Sequence, residues 1–301
     1  MRVKVLLYRM AEKKHSLLRG MTRCSLMLTI VWGAALQLLP AQEQAEQIVS
    51  SGASPAYGVR HKYLHSLSPG DLATHADELF QFMAAGQVPE GMEVDAYLSL
   101  SNDIFDLLLK EGAAVPQLLE YVLQTIPDHA ANRVWRDYCV QKLAPLLLKE
   151  GLDNESVAEA MQLLDELTNG SIPEMQGTAF IVAYSLSGHD LAKEYSILSE
   201  GAIGQRAVAC ARNEKSALID RVTALTLAAR CRNREALSVS ESILNQPDGG
   251  IEPMLKVSAI ATIGLLGDAH HLESLQRFRL SPDIRFKNAA RVAIERIKAR
   301  G

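Results

Sequence analysis

A pattern of small and apolar residues recurs four times in the C-terminal half of the chain, and it limits the fold more than any other feature. Counting from Lys256, the positions two, three, six, seven and ten residues on are Ser258, Ala259, Thr262, Ile263 and Leu266. From Lys287 they are Ala289, Ala290, Ala293, Ile294 and Ile297. From Arg221 they are Thr223, Ala224, Leu227, Ala228 and Cys231, and from Gln176 they are Thr178, Ala179, Val182, Ala183 and Leu186. Offsets of 3, 6, 7 and 10 lie along one side of an α-helix. Alanine stands three residues after every anchor, so Ala179, Ala224, Ala259 and Ala290 are the expected core of a close helix–helix contact. The anchors are 45, 35 and 31 residues apart. A unit recurring every ~20–50 residues marks a solenoid, because one helix pair cannot bury its apolar face alone. The predicted fold class is therefore all-α: an α-solenoid, a superhelix of antiparallel helix pairs.

The clearest piece runs from Glu252 to Ile297. It includes Lys256 to Asp268 with its Leu266-Gly267-Asp268 ending, and a second helix opened by Asp283 and Arg285 before the Ala289-Ala290 pair. These residues resemble the short HEAT-like repeats, the type also seen in phycobilin-lyase-related proteins. The resemblance is clear over 252–298 and weak over 172–250. It implies that an acidic and a basic residue help tie neighbouring repeats together, a description that Asp283 and Arg285 fit. It also brings in an enzyme, or an enzyme partner, of the phycobilin-lyase-like class. Some HEAT-like enzymes hold a di-iron centre with His-Glu pairs, but this chain has no His-Glu dipeptide.

Residues 1–41 read as a targeting segment. Arg2, Lys4, Arg9, Lys13, Lys14, Arg19 and Arg23 form a basic front, Leu26 to Leu39 is an uncharged apolar run, and Pro40-Ala41-Gln42 follows. That is the order of a secretory signal, and the run is shorter than the ~20 residues of a spanning helix. The alternatives are a retained N-terminal membrane anchor and an N-terminal core helix. Met21 is an alternative start, which would make residues 1–20 an extension. No cysteine follows the run, so lipoprotein processing is not suggested. The expected location is exported, periplasmic or secreted.

Cleavage after residue 41 would leave 24 basic and 34 acidic residues, a formal −10. The charge is uneven: residues 277–301 hold eight basic residues against Asp283 and Glu295, so the rest of that chain carries −16. An acidic body repels nucleic acid, whose binding depends on phosphate neutralisation. The basic end suits the macrodipole of a last helix and offers Arg285, Arg291 and Arg296 to an acidic protein partner.

Between these ends, 42–69 is a Gln-, Ser- and Gly-rich linker. Residues 70–170 are N-terminal helical repeats and 171–301 are the HEAT-like repeats. Ser68-Pro69 opens the first helix, with Leu72, Leu79, Phe82 and Met83 on its apolar face. Further helices are predicted over about 93–110, 115–126 and 132–149, with a fifth from Asp153 or Asn154 to Asn169-Gly170.

Sites of chemistry are scarce. There is no dinucleotide fingerprint, phosphate loop, His-Glu-x-x-His or Gly-x-Ser-x-Gly. Beyond Cys24, the cysteines are Cys139, Cys210 and Cys231, read as buried thiols, with a Cys210–Cys231 disulfide as the alternative. His61 and His65 are four apart in the linker. His270 and His271 are adjacent, and adjacent helical residues diverge by about 100°, a poor chelate. Trp135 lies between Arg133 and Arg136, either a binding hot spot or a packing residue. The function expected is a non-catalytic protein-binding or scaffolding module using the concave face of the stack, with no cofactor, no metal and no nucleic acid. A membrane-tethered structural protein is the remaining alternative.

Overall fold

A computed structural model describes residues 64, 66–86, 88, 92–246 and 252–300. The stretch read as a targeting segment and most of the stretch read as a linker, including His61 and His65, lie outside the described residues. All secondary structure among the described residues is helical. The N-terminal helices are α1 Pro69–Ala84, α2 Val94–Glu111, α3 Val115–Thr125, α4 Arg133–Leu147 and α5 Asn154–Asn169. They are followed by α6 Gln176–Leu186, the single turn α7 Leu191–Glu194, α8 Glu200–Arg212, α9 Leu218–Arg230, α10 Glu235–Asn245, α11 Pro253–Leu266, α12 Leu272–Arg279 and α13 Ile284–Lys298.

The boundaries follow local chemistry. Asn132, Asp153, Ser199 and Asp283 accept first-turn amides through their side chains, which satisfies donors that a helix start leaves unpaired. Gly112 and Gly170 end α2 and α5 at φ 72° and 83°, a left-handed conformation that glycine adopts without steric cost. The expected apolar face of α1 is buried at Leu72, Leu79, Phe82 and Met83. Leu64, inside the stretch read as linker, is also buried in the core.

Helix neighbours fall into two series. Chain-adjacent helices pair as α3 with α4, α5 with α6, α8 with α9, α10 with α11, and α12 with α13. The second members also touch one another in order: α4 with α6, α6 with α9, α9 with α11, and α11 with α13. Among the first members, α3 meets α5, α5 meets α8, and α8 meets α10.

Ala179, Ala224, Ala259 and Ala290 are each 0 % exposed on the second series. The approach there is close. A Cβ on Gly264 of α11 would stand 2.7 Å from both Cα and Cβ of Ala293 in α13. Hydroxyls cross the same contacts: Ser258 donates to the Val222 carbonyl at 3.1 Å, and Thr178 to Asp137 Oδ1 at 2.6 Å. Buried apolar residues form two clusters that meet at α6. Ala179, Val182, Ala183 and Leu186 face one, Phe180 faces the other, and Tyr184 packs against both.

Two of the four anchors, Gln176 and Arg221, have a shared task. Gln176 Nε2 donates to the Thr168 carbonyl at 2.9 Å, and Arg221 Nε to the Ala211 carbonyl at 3.1 Å. Both acceptors stand at the C-terminal end of the partner helix, where carbonyls have no intrahelical donor and carry the negative end of the macrodipole. Arg136 does the same, its Nε donating to the Ile126 carbonyl just past α3 at 2.8 Å. It stands 40 residues before Gln176, and Cys139, Leu143 and Leu146 are buried at its offsets of 3, 7 and 10. A fifth segment, α4, thus shares the arrangement although cysteine replaces its key alanine.

Candidate functional site

Of the partner-binding candidates in the tail, Arg285 is engaged locally. Its Nε lies 3.0 Å from Asp283 Oδ1 and its Nη2 2.6 Å from Oδ2, while the Arg285 amide donates to the same carboxylate. These bonds hold the Asp283 carboxyl below its ordinary range. The pair that the resemblance offered as a tie between repeats therefore closes on the start of a single helix. Ties between successive helices come from other residues. Arg206 of α8 donates to Asp165 and Thr168 of α5, both at 2.7 Å, and Arg212 of α8 meets Glu235 of α10 at 2.9 Å. Arg291 pairs with Glu295 one turn on at 3.0 Å, and Arg296 is exposed.

Trp135 is placed differently. It is 6 % exposed, and its indole N–H donates to the Tyr121 hydroxyl at 2.7 Å. Tyr121 meets Phe80 edge-on, and Tyr138 meets Trp135 the same way. Burial pushes the Tyr121 hydroxyl up to about 12. The ring joins α3 and α4 as a packing residue, with α1 reached through Tyr121, and its one donor is spent inside the molecule, so it offers no partner an open face.

Cys139, Cys210 and Cys231 are free and buried, so no Cys210–Cys231 bridge forms. Burial raises Cys139 to about 12 and the other two to about 11. A thiol so protonated is a poor nucleophile.

His270 and His271 do meet at one place. A cavity of about 380 Å³ between α10, α11 and α12 is lined by both, together with Glu241, Asn245, Ser274 and Arg277. The sequence had set them about 100° apart on a helix; a 3₁₀ turn at Ala269–His271 brings both to the lining instead. His271 Nε2 lies 3.2 Å from Glu241 and its Nδ1 2.9 Å from Asp268. Side chains of Asp268 and His271 also cap the 3₁₀ turn reciprocally. Arg277 donates to the Leu244 carbonyl at the end of α10, at 2.7 Å. Glu241, His271 and Arg277 of this cavity are therefore engaged with one another, with Asp268 or with a helix end, and they fasten α12 and its leading turn to α10. Among the described residues no group of three or more His, Cys, Asp or Glu could hold a metal ion.

The polar group least visible in sequence is Asp220. It is 3 % exposed at the start of α9, and its Oδ1 accepts the Gly177 amide of α6 at 2.9 Å. Its Oδ2 is buried without a hydrogen-bond partner. Desolvation raises its carboxyl above the ordinary value, with the Asp137 charge adding to the rise. A Cβ on Gly177 would meet Asp220 Oδ1 at 2.6 Å, so only glycine leaves room for the bond.

No family model and no curated protein sequence matches the chain. No helix among the described residues is long and apolar enough to cross a membrane.

Proposed function

We propose that the chain is a non-catalytic α-solenoid of HEAT-like repeats that scaffolds or binds another protein in an exported compartment. One observation carries this reading: the two series of helix contacts, in which each pair meets the next along the chain. Stacking of that kind draws the core out lengthwise and leaves an extended surface for a polypeptide. The anchor bonds of Arg136, Gln176 and Arg221 support a repeated unit, since each ties the second helix of a pair to the C-terminal end of the first. The exposed basic residues of α13 favour an acidic partner. HEAT-like architecture by itself does not specify function, so the test is of binding.

Crosslinked protein isolated from its native host and read by mass spectrometry should carry one stable protein partner and begin near Gln42. Stoichiometric metal or a bound chromophore would overturn the cofactor-free reading. An intact Met1 or Met21 on soluble cytoplasmic protein would overturn export, and an intact start in the membrane fraction would support the tether.

A further inference from the structure

The two helix series differ in what they show to solvent. Among the described residues, none of the exposed large apolar side chains lies within α3, α5, α8, α10 or α12, although Leu280, 83 % exposed, directly follows α12. The second series carries Ile284 at the start of α13, 61 % exposed, and five others between 37 % and 56 % exposed: Val134 on α4, Ile181 on α6, Ile219 on α9, and Met254 and Leu265 on α11. The places of those five are regular, whereas Ile284 stands three before its anchor and off their side. Val134, Ile219 and Met254 each stand two residues before an anchor, Ile181 five after one, and Leu265 nine after one. Offsets of −2, 5 and 9 are 7 and 4 apart, so they share one helix side, turned away from the buried offsets of 3, 7 and 10.

Charge divides the same way. The first series exposes Glu155, Glu159 and Glu166 on α5, Glu200 on α8, and Glu235 and Glu241 on α10, against Arg212 on α8 and Arg277 and Arg279 on α12. On the second series α6 has no acidic or basic residue, and the only charged residue of α11, Lys256, is buried. Arg285 and Arg296 of α13 stand at offsets −2 and 9, where α11 has Met254 and Leu265, and Arg230 stands exposed at offset 9 on α9. An apolar stripe therefore runs into a basic end, on the opposite series from most of the exposed glutamates, Glu295 of α13 excepted.

Resting on the solenoid reading above, we propose that this stripe of the second series is the binding face, and that its occupant is an acidic amphipathic segment of a protein partner. Apolar side chains of the segment seat against Ile181, Ile219, Met254 and Leu265, in the way amphipathic helices use spaced anchors. Its carboxylates meet Arg230 and Arg296. The glutamates of the first series repel the same segment, so charge chooses the face. An anionic bilayer would match the apolar and basic stripe as well, but the −16 carried outside residues 1–41 and 277–301 opposes approach of such a surface.

The full-length chain, immobilised, is panned against a phage-displayed library of random peptides about 16 residues long, enough for four helical turns. Enriched peptides are expected to combine Asp or Glu with Leu, Ile or Phe at helical spacing. A synthetic copy of the best should bind the paired variant Ile219→Ser, Met254→Ser about ten-fold or more weakly, as loss of central anchors does. It should also bind Arg296→Glu more weakly, while Glu159→Lys leaves affinity unchanged or raises it. All three variants change exposed side chains, and unchanged thermal melts confirm that they fold.

The proposal is overturned if no such peptides are enriched, or if the paired variant binds them as the parent does. Phosphatidylglycerol vesicles retained by the parent and lost by that variant would assign the stripe to a membrane. A dimer in solution lost by that variant would assign it to a second copy. A native partner crosslinked to the first series would overturn this face while leaving the scaffold reading standing; failure to find any protein partner removes both.

Discussion

At Asp220 a single carboxylate does two opposed things. One oxygen accepts the Gly177 amide and the other is buried with no partner, so the group both ties α9 to α6 and resists ionisation. Its pKa is raised, which means that the folded state holds the proton more tightly than the unfolded chain does. Stability therefore falls as pH rises from the ordinary carboxylate value of about 3.9 through the raised one, and the ionised group remains a cost above it. Asp220→Asn keeps an acceptor for Gly177 and removes the charge. It is expected to melt at or above the parent temperature at pH 7, with the difference shrinking as pH approaches 4; thermal melts across pH 4–8 decide it. A variant less stable than the parent by about 1 kcal/mol or more at pH 7 would show that the charge-assisted bond outweighs desolvation. The three thiols make a second residue-level test. Buried and raised to about 11–12, Cys139, Cys210 and Cys231 should resist iodoacetamide in the native protein and alkylate together on unfolding, as read by peptide mass mapping. Rapid labelling of any one in the cold would place it at a local opening.

Single helices are held by what they approach, and α11 shows this best. Its Ala259 is fully buried, and its Gly264 lies against the backbone of Ala293. Ala259→Glu buries a charge with no partner and is expected to cost about 3–5 kcal/mol. Gly264→Ala forces α11 and α13 apart, because the obstructing atoms belong to backbone and Cβ rather than to a flexible tip; a loss of about 1–3 kcal/mol is expected. Urea unfolding curves check both, and variants that melt with the parent would mean that the small-residue register does not govern the contact. Residue pairs on the exposed surface of α13 should matter far less. Arg291–Glu295 is a solvent-exposed one-turn pair, of the kind worth about 0.3–0.5 kcal/mol.

Over the whole chain, the proposed acidic partner should be released by salt if the tail takes part, since exposed charges are screened within roughly 8–10 Å near physiological ionic strength. Triple reversal of Arg285, Arg291 and Arg296 to Glu is expected to weaken a native partner and flatten that salt dependence. Affinity unchanged by the reversal would remove the tail from the interface. The residues used in these arguments differ in how they could be found. A helix end near residue 110, a start at Asp153 or Asn154 and an end at Asn169-Gly170 were legible because caps act within a few residues of the chain. The alanines were legible because burial repeats with the helical period. All-helical character and the core side of the four helices bearing Ala179, Ala224, Ala259 and Ala290 were thus determined by the sequence alone. Tertiary structure alone decided that Trp135 turns inward to Tyr121, that Arg285 spends its guanidinium on Asp283, and that His271 reaches Glu241, 30 residues earlier. It also decided that Arg136 belongs with the anchors, a role visible only once the Ile126 carbonyl is beside it. The physical reason is one of range. Backbone propensity and capping are settled between near neighbours, whereas the partner of a buried donor or carboxylate is whichever group packing brings within about 3 Å, and no local spacing records it.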